Sequence, residues 1–285
     1  LINTFEEEMK KLIRTWLKED VGSGDHSSIA VIPVSKKASA EFLMKEDGVI
    51  AGLSWAKETM LLCDQNATIT FFYVDGDFVP KDTAIGRIDA NARAMLKAER
   101  LMLNCMQRMS GIATQTKKLV DLIAHTPAQL LDTRKTTPGI RVLEKEAVRL
   151  GGGRNHRFGL YDMIMLKDNH IDYAGGLKEA VNKASAYRKR KGLKVEIEVE
   201  VRNLDELNEA IALKDVNRIM LDNFTPKEIK ACIKRIPSHF EVEASGGITE
   251  SNIVEYAESG VHFISLGSLT HHIKSLDISL KASIR

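Results

Sequence analysis

The sequence predicts an α/β protein in two parts, a small N-terminal α/β layer and a C-terminal barrel of six parallel strands. Residues 38–88 run in short alternating stretches around the turn pairs Asp47-Gly48 and Asp75-Gly76, the pattern of strands in a small sheet. After His125, six short apolar runs alternate with helical segments. Each crossover must then bring the chain back to the same end of the sheet, which makes the strands parallel. In "KVEIEVEV", Val195, Ile197, Val199 and Val201 share one face of a strand and Glu196, Glu198 and Glu200 share the other. A central strand of an open parallel sheet is apolar on both faces, whereas a barrel strand has a helix-facing side and a lumen side that can be polar.

Taken in order, Thr4 and Glu7 read as a capping box, and Met9, Leu12, Ile13 and Trp16 recur at helical spacing behind it. "EDVGSGDHSS" follows as a loop. "ASAEFLMKEDGVIAG", "ATITFFYVDGDFV" and "TAIGRIDA" read as strands, with "LSWAKETMLLCD" as a helix among them. From Ala92 to His125 the pattern is helical, with an interruption near Ser110-Gly111. That interruption sets the expected boundary, between a small α/β layer over 1–111 and an α/β barrel over 112–272. The barrel strands are "QLLDT", "MIMLK", "KVEIEVEV", "NRIMLD", "FEVEAS" and "HFISLG", with helices expected over 140–150, 177–190, 204–213, 226–236 and 251–259.

Composition narrows the function. At 44% hydrophobic residues the chain of 285 can bury a sizeable core. A net charge of only +2 argues against a general nucleic-acid binder. Cys63, Cys105 and Cys232 form neither a CxxC pair nor a disulfide framework, which suggests a reducing cytoplasm. The first residues are too charged for a signal peptide, and no apolar run is long enough for a membrane span.

In parallel α/β architectures the reactive groups collect where strands end. The strand ends here carry Asp132, Arg134 and Lys135; Lys167, Asp168 and His170; Glu200; Asp222; Ser245-Gly246-Gly247; and Gly267-Ser268. Between Arg134 and His170 there are eight Lys and Arg against four acids, so the neutral total hides a local cationic surplus. Arg141, Lys145 and Arg149 read as a solvated helix face. Arg134, Lys135 and Lys167, at the ends of apolar strands, need an anion from the protein or from a ligand. "SGGI" and "LGSLT" each sit between a strand and a helix, where bare backbone N–H groups suit a phosphate, although either could be an ordinary turn. Glu200 and Asp222 offer hard oxygen ligands for Mg2+, or else simple salt bridges to lysines. His156, His170 and His271-His272 lack the ligand spacing of a zinc site.

The motifs "DTRKTTPGIR", "GGGRNHRFGLYDMIMLKDNHI", "EIEVEV", "IMLDN", "SGGI" and "ISLGSLTH", with "EDVGSGDHSS" and "AERLMLNCMQRMSGIAT" before them, resemble in order those of the nicotinate-nucleotide pyrophosphorylase family, the decarboxylating quinolinate phosphoribosyltransferases. The resemblance covers essentially the whole chain and implies an N-terminal α/β sandwich domain, on which residues 273–285 pack back, followed by a six-stranded α/β barrel. It implies a homodimer or larger homo-oligomer of NAD biosynthesis that takes quinolinate and 5-phosphoribosyl pyrophosphate to nicotinate mononucleotide, pyrophosphate and CO2 with Mg2+. It further implies that Arg134, His156, Arg157 and Lys167 hold quinolinate, and that Arg100 completes the partner's site. Lys135 would lie near quinolinate and the pyrophosphate, with Glu200 and Asp222 on the metal and ribose side. Ser245, Gly246, Gly247, Gly267 and Ser268 would hold the 5′-phosphate, with His271 as a further cationic contact. Ser268, His272 and His26-Ser27-Ser28 depart from the family pattern. Two alternatives share the scaffold: a paralogue of molybdate-transport operons acting on another acceptor, and a Schiff-base lyase using Lys167.

Overall fold

The computed structural model describes residues 2–283. In chain order the elements are α1 (Ile2–Val21), α2 (His26–Val31), β1 (Lys37–Met44), β2 (Gly48–Val49), α3 (Leu53–Cys63), β3 (Thr68–Phe71), β4 (Phe78–Val79), β5 (Ala84–Asn91) and α4 (Ala92–Leu122). There follow β6 (Gln129–Leu131), α5 (Arg141–Leu150), β7 (Ile164–Leu166), α6 (Asp168–Ala174), α7 (Leu177–Lys191), β8 (Ile197–Val201), α8 (Leu204–Ile211) and β9 (Arg218–Asp222). The chain ends with α9 (Pro226–Cys232), β10 (Glu241–Ser245), α10 (Ile253–Ala257), β11 (Phe263–Ser265), α11 (Ser268–His271) and β12 (Ile278–Ser283). By contact the chain forms two compact units, one of residues 1–115, 142–151 and 272–285, the other of 116–141 and 152–271.

The first unit is built on an antiparallel sheet of order β12-β1-β5-β3. Its apolar face buries Ala40, Phe42, Met44, Ile85 and Ile88, packed with Met60, Met102 and Met106 from the helices. β12 pairs with β1 from Met44↔Ile278 to Ser39↔Ser283, so the last strand covers an edge of the first. Two local readings of the sequence differ from the structure. Thr4 falls inside α1 rather than at its cap, and its side chain lies outside the described residues. The segment read as one loop, residues 19–28, begins in the last turn of α1 and ends in the first turn of α2, which Asp25 caps by accepting the N–H of Ser28 at 3.1 Å.

α4 is continuous through Ser110 and Gly111, where an interruption was expected. Both small residues are there for packing. Ser110 accepts the N–H of Ala51 at 2.9 Å and donates to its carbonyl at 3.2 Å. A Cβ on Gly111 would lie 2.3 Å from the carbonyl oxygen of Lys274, so the chain leading to β12 runs directly over the helix. Helix α5 also belongs to this unit. Its Glu144 is buried against Arg108 at 2.7 Å, and its Glu146 accepts from Trp55 Nε1 at 2.8 Å.

The second unit contains one six-stranded parallel sheet of order β6-β11-β10-β9-β8-β7. The first strand pairs with the sixth, and every other neighbour is consecutive in sequence. This is the barrel expected from the sequence, with its single seam between β6 and β7. Helices α6 and α11, absent from the sequence reading, follow β7 and β11 directly. The register fixes what faces inward. Glu198 lies opposite Arg218, Arg218 opposite Glu241, and Ser245 opposite Asp222. With a side-chain period of two, Glu198 and Glu200, Arg218 and Asp222, and Glu241, Glu243 and Ser245 share the lumen face. Ile197, Val199, Val201, Ile219, Leu221, Val242 and Ala244 face the helices and are buried. Glu196, expected on the lumen face, is exposed and precedes the strand.

Gly111→Ala tests the packing over α4. Helix propensity alone favours alanine by about 1 kcal/mol, but the overlap with the Lys274 carbonyl forces the backbones apart. The expected net loss is about 1–3 kcal/mol in urea unfolding; a more stable variant would contradict the close approach.

Candidate active site at the barrel mouth

The lumen is charged from floor to mouth. At its floor Arg218, on β9, is 8% exposed. Its Nε and Nη2 donate to Oε2 of Glu241 at 3.0 and 2.6 Å, and its Nη1 donates to Oε2 of Glu243 at 3.2 Å. Its guanidinium also lies 4.3 Å from the centroid of the Phe263 ring. Glu198 and Glu243 are fully buried. Burial pushes the Glu198 carboxyl up to about 7, against the pull of Arg218, Arg157 and Lys167. Burial, then the charge of Glu198, pushes Glu243 up to about 7 as well. Oε2 of Glu198 is 2.9 Å from His156 Nε2, and Oε2 of Glu243 is 3.6 Å from it. These three side chains are close enough to share a cation, but the Arg218 guanidinium already serves that end of the lumen.

Above this floor the strand ends bring the sequence-predicted residues together. Lys167 directly precedes α6, and its Nζ donates to Oε2 of Glu200 at 3.0 Å. The anion that Lys167 needed is thus supplied by the protein, while the ammonium keeps 45% side-chain exposure. Asp222 is raised by burial first and by the charge of Glu200 next, which places two carboxylates within each other's field. Arg157 is half-buried, and its guanidinium is lowered by burial first and by the charge of Arg134 next. Two guanidiniums in mutual repulsion are an open invitation to a carboxylate. Arg134 and Lys135 are exposed at the end of β6.

The two glycine loops behave differently. In the first, Gly246 has φ +92° and a Cβ there would fall 2.2 Å from Oδ1 of Asn223. Asn223 itself has φ +58° and donates its backbone N–H to the Ser245 carbonyl at 2.8 Å. Its side chain donates to Asp222 at 2.7 Å. Asn223 therefore ties the Asp222 strand end to the Ser245-Gly246-Gly247 loop. In the second loop, a Cβ on Gly267 would lie 2.8 Å from both His271 Nε2 and Lys135 Cδ. Thr270, in α11 after Ser268, donates to the Lys135 carbonyl at 2.9 Å. Lys135, Gly267 and His271 thus meet at one point, although 136 positions separate Lys135 from His271; Ser268 opens α11 beside them.

Arg100 is exposed on α4, in the first unit. Two readings of the sequence need correction here. Lys145 is 1% exposed, far from a solvated helix face, because α5 is packed within the first unit. Arg141 is half-buried and braces the loop after β6, donating to Thr136 Oγ1 at 2.9 Å and to the Phe158 carbonyl at 3.0 Å. Only Arg149 of the three is exposed. Arg218, Glu243 and Asn223 went unnoticed as site-forming residues. The first two had a signal, since charged residues at every second position of a barrel strand face the lumen.

A parallel barrel whose mouth gathers cations, two glycine-rich strand-to-helix loops and paired carboxylates has the makings of an enzyme that acts on small polyanions. Models of the quinolinate phosphoribosyl transferase N-terminal and C-terminal domains match residues 25–110 and 112–281. The chain is 44% identical over 289 residues to the chloroplastic nicotinate-nucleotide pyrophosphorylase (carboxylating) of Arabidopsis thaliana, covering 96% of this chain and 82% of that protein. It is 43% identical to the probable nicotinate-nucleotide pyrophosphorylase of Bacillus subtilis, covering 97% of this chain and 94% of that one. The solved structure of the nicotinate-nucleotide pyrophosphorylase from Francisella tularensis superposes with a TM-score of 0.91 at 41% identity, over 97% of this chain and 96% of that chain. The chain belongs to the quinolinate phosphoribosyltransferase family, also called nicotinate-nucleotide pyrophosphorylase. None of its described helices is long and apolar enough to cross a membrane.

The lumen carboxyls give the site a pH signature in stability. Glu243 has a folded-state pKa of about 7 against an ordinary 4.5, so the folded protein holds a proton that the unfolded chain releases. Its contribution is complete below the unfolded value and is lost as pH rises through the folded one. Glu243→Gln keeps the neutral shape at every pH. The expected result, from urea unfolding at about pH 5 and about pH 7, is a smaller fall in stability across that interval than in the parent. An identical fall would place the titration elsewhere.

Proposed function

We propose that this chain transfers the phosphoribosyl group of 5-phosphoribosyl pyrophosphate to quinolinate with decarboxylation, forming nicotinate mononucleotide, pyrophosphate and CO2 in NAD biosynthesis. Family membership supports the reaction, and the convergence of Lys135, Gly267 and His271 carries the assignment of roles. Quinolinate is a dianion and its co-substrate carries several further charges, so both need a dense cationic cup. Arg134 and Arg157 offer planar guanidiniums that match carboxylates with paired hydrogen bonds. Lys167 and His156 complete the quinolinate side, and Arg100 of a second copy closes it in a homodimer. Ser245, Gly246, Gly247, Gly267 and Ser268 cradle the 5′-phosphate, with His271 beside it. Three cysteines without a disulfide suit a reducing compartment such as the cytoplasm.

Glu200 and Asp222 fit Mg2+ by their chemistry. They are hard oxygen donors whose charges oppose one another, at a mouth where substrate phosphates supply the remaining ligands. When bound there, Mg2+ neutralises charge on the pyrophosphate. The side chains do the rest. The Lys135 ammonium faces the departing pyrophosphate while positive charge grows on the ribose carbon. The guanidiniums hold the pyridine nitrogen toward that carbon, and bond formation makes a pyridinium. The adjacent positive nitrogen then stabilises the electron pair left on C2 as the 2-carboxylate departs as CO2, and C2 takes up a proton from water. Positioning and desolvation suffice, and no general base is required. A Schiff-base role for Lys167 is disfavoured, because its ammonium is bonded to Glu200 and lies partly in solvent rather than in an apolar pocket.

Purified protein given quinolinate, 5-phosphoribosyl pyrophosphate and Mg2+ is expected to release nicotinate mononucleotide, pyrophosphate and CO2, and to leave nicotinate and nicotinamide unchanged. Turnover of either control acceptor in place of quinolinate would point to the paralogue. Chelation of divalent metal is expected to abolish turnover and readdition of Mg2+ to restore it. Lys135→Ala is expected to lower kcat by about a hundredfold or more; near-normal turnover would remove Lys135 from the leaving-group step.

A further inference from the structure

Among the described residues no ladder joins β6 to β7, so the inner edge of β6 is left to the segment that carries His156 and Arg157. That segment makes one parallel bridge, Leu131↔Arg154. The Arg154 N–H donates to the Leu130 carbonyl at 2.8 Å, and the Asp132 N–H donates to the Arg154 carbonyl at 3.1 Å. In a regular parallel ladder the next rung would run from the His156 N–H to the Asp132 carbonyl. Instead the His156 N–H donates to the Asp132 side chain, with Oδ1 at 2.9 Å. The carboxylate takes the rung that the backbone would have taken. The segment leaves the strand at that residue, held by a charge-assisted bond where the ladder stops.

We propose that Asp132, which is fully buried, is a positioning residue for the quinolinate subsite. It fixes the point at which the chain departs from β6. From there the His156 ring enters the lumen, with Nε2 2.9 Å from Glu198 Oε2. The His156 Nδ1 accepts the N–H of Arg157 at 2.7 Å, so the ring in turn sets the backbone that carries the Arg157 guanidinium toward Arg134. The bond from the His156 N–H to Asp132 lies on the edge of β6 opposite the one that pairs with β11, and the phosphate loops stand on β10 and β11. Its loss should therefore fall on one substrate and spare the other. This inference rests on the reading that His156 and Arg157 hold quinolinate.

The test is steady-state kinetics on the full-length enzyme with each substrate varied in turn. Asp132→Ala is expected to raise the KM for quinolinate about tenfold or more, while the KM for 5-phosphoribosyl pyrophosphate moves by less than about threefold. Asp132→Asn keeps an acceptor at Oδ1 and is expected to recover part of the quinolinate KM. A rise in both KM values together, or no change in either, would overturn the proposal. If Asp132→Ala does not fold, Arg154→Pro decides. It removes the first rung, from the Arg154 N–H to the Leu130 carbonyl, without touching a buried charge, and the same asymmetry is expected; an unchanged quinolinate KM would end the idea. Arg157→Ala tests the underlying reading separately. If that variant leaves the quinolinate KM unchanged, the subsite assignment fails and the positioning claim fails with it. If it raises the KM while Asp132→Ala does not, only the positioning claim fails.

Discussion

A guanidinium shut inside a barrel has to be neutralised where it stands, and Arg218 is held by Glu241 and Glu243 within the second unit. Desolvating an ion costs several kcal/mol, on a scale no surface contact offsets. The neighbours therefore have to be acids, in register on the adjacent strand, and they are. Once Arg218 is placed, Glu198 on the other flanking strand is drawn toward the same charge, and His156 finds its acidic neighbours ready. Charge then alternates up the lumen: acids around one arginine at the floor, a lysine–glutamate pair above, and guanidiniums at the rim. Cations at the rim retain water or a ligand as partners, so the barrel can afford a surplus only there.

Most of the fold was readable because two periodicities differ. Alternation at period two marked the strands and period near four marked the helices, so six strands and their order could be counted. "KVEIEVEV" even separated barrel from open sheet, since glutamates every second residue need a polar lumen. The failures came from residues that pattern cannot weigh. Ser110-Gly111 looked like a break because glycine and serine often are one. In α4 they are instead the price of letting Ala51 and Lys274 approach closely, a contact between positions far apart in sequence. The short helices α6 and α11 have too few turns to show a period at all.

The site was legible to the extent that chemistry sits at strand ends. Lys135, Lys167, Glu200, Asp222 and the glycine loops were found by position in the strand–helix alternation before any likeness was considered, and the structure gathers them at the mouth of one barrel. The resemblance added His156, Arg157 and Arg100, whose positions no strand end marks. Lys145 was misread because a charged helix face looks the same whether it meets water or a buried partner. Burial depends on what packs against the helix, and that is decided by tertiary structure. Asn223 was overlooked for a related reason: its left-handed backbone, φ +58°, is common for asparagine but invisible in a one-letter code.

The pairing of β12 with β1 has a bearing on how the polypeptide is made. Synthesis is vectorial, and domains often begin to fold before the whole chain emerges. Here the first sheet acquires its partner at one edge only when residues 278–283 arrive. Until then β1 presents unpaired N–H and C=O groups, the kind of open border that recruits strands from other molecules. The barrel, by contrast, draws all its strands from one later stretch of the chain. A nascent chain of this protein is thus exposed longest at its oldest strand.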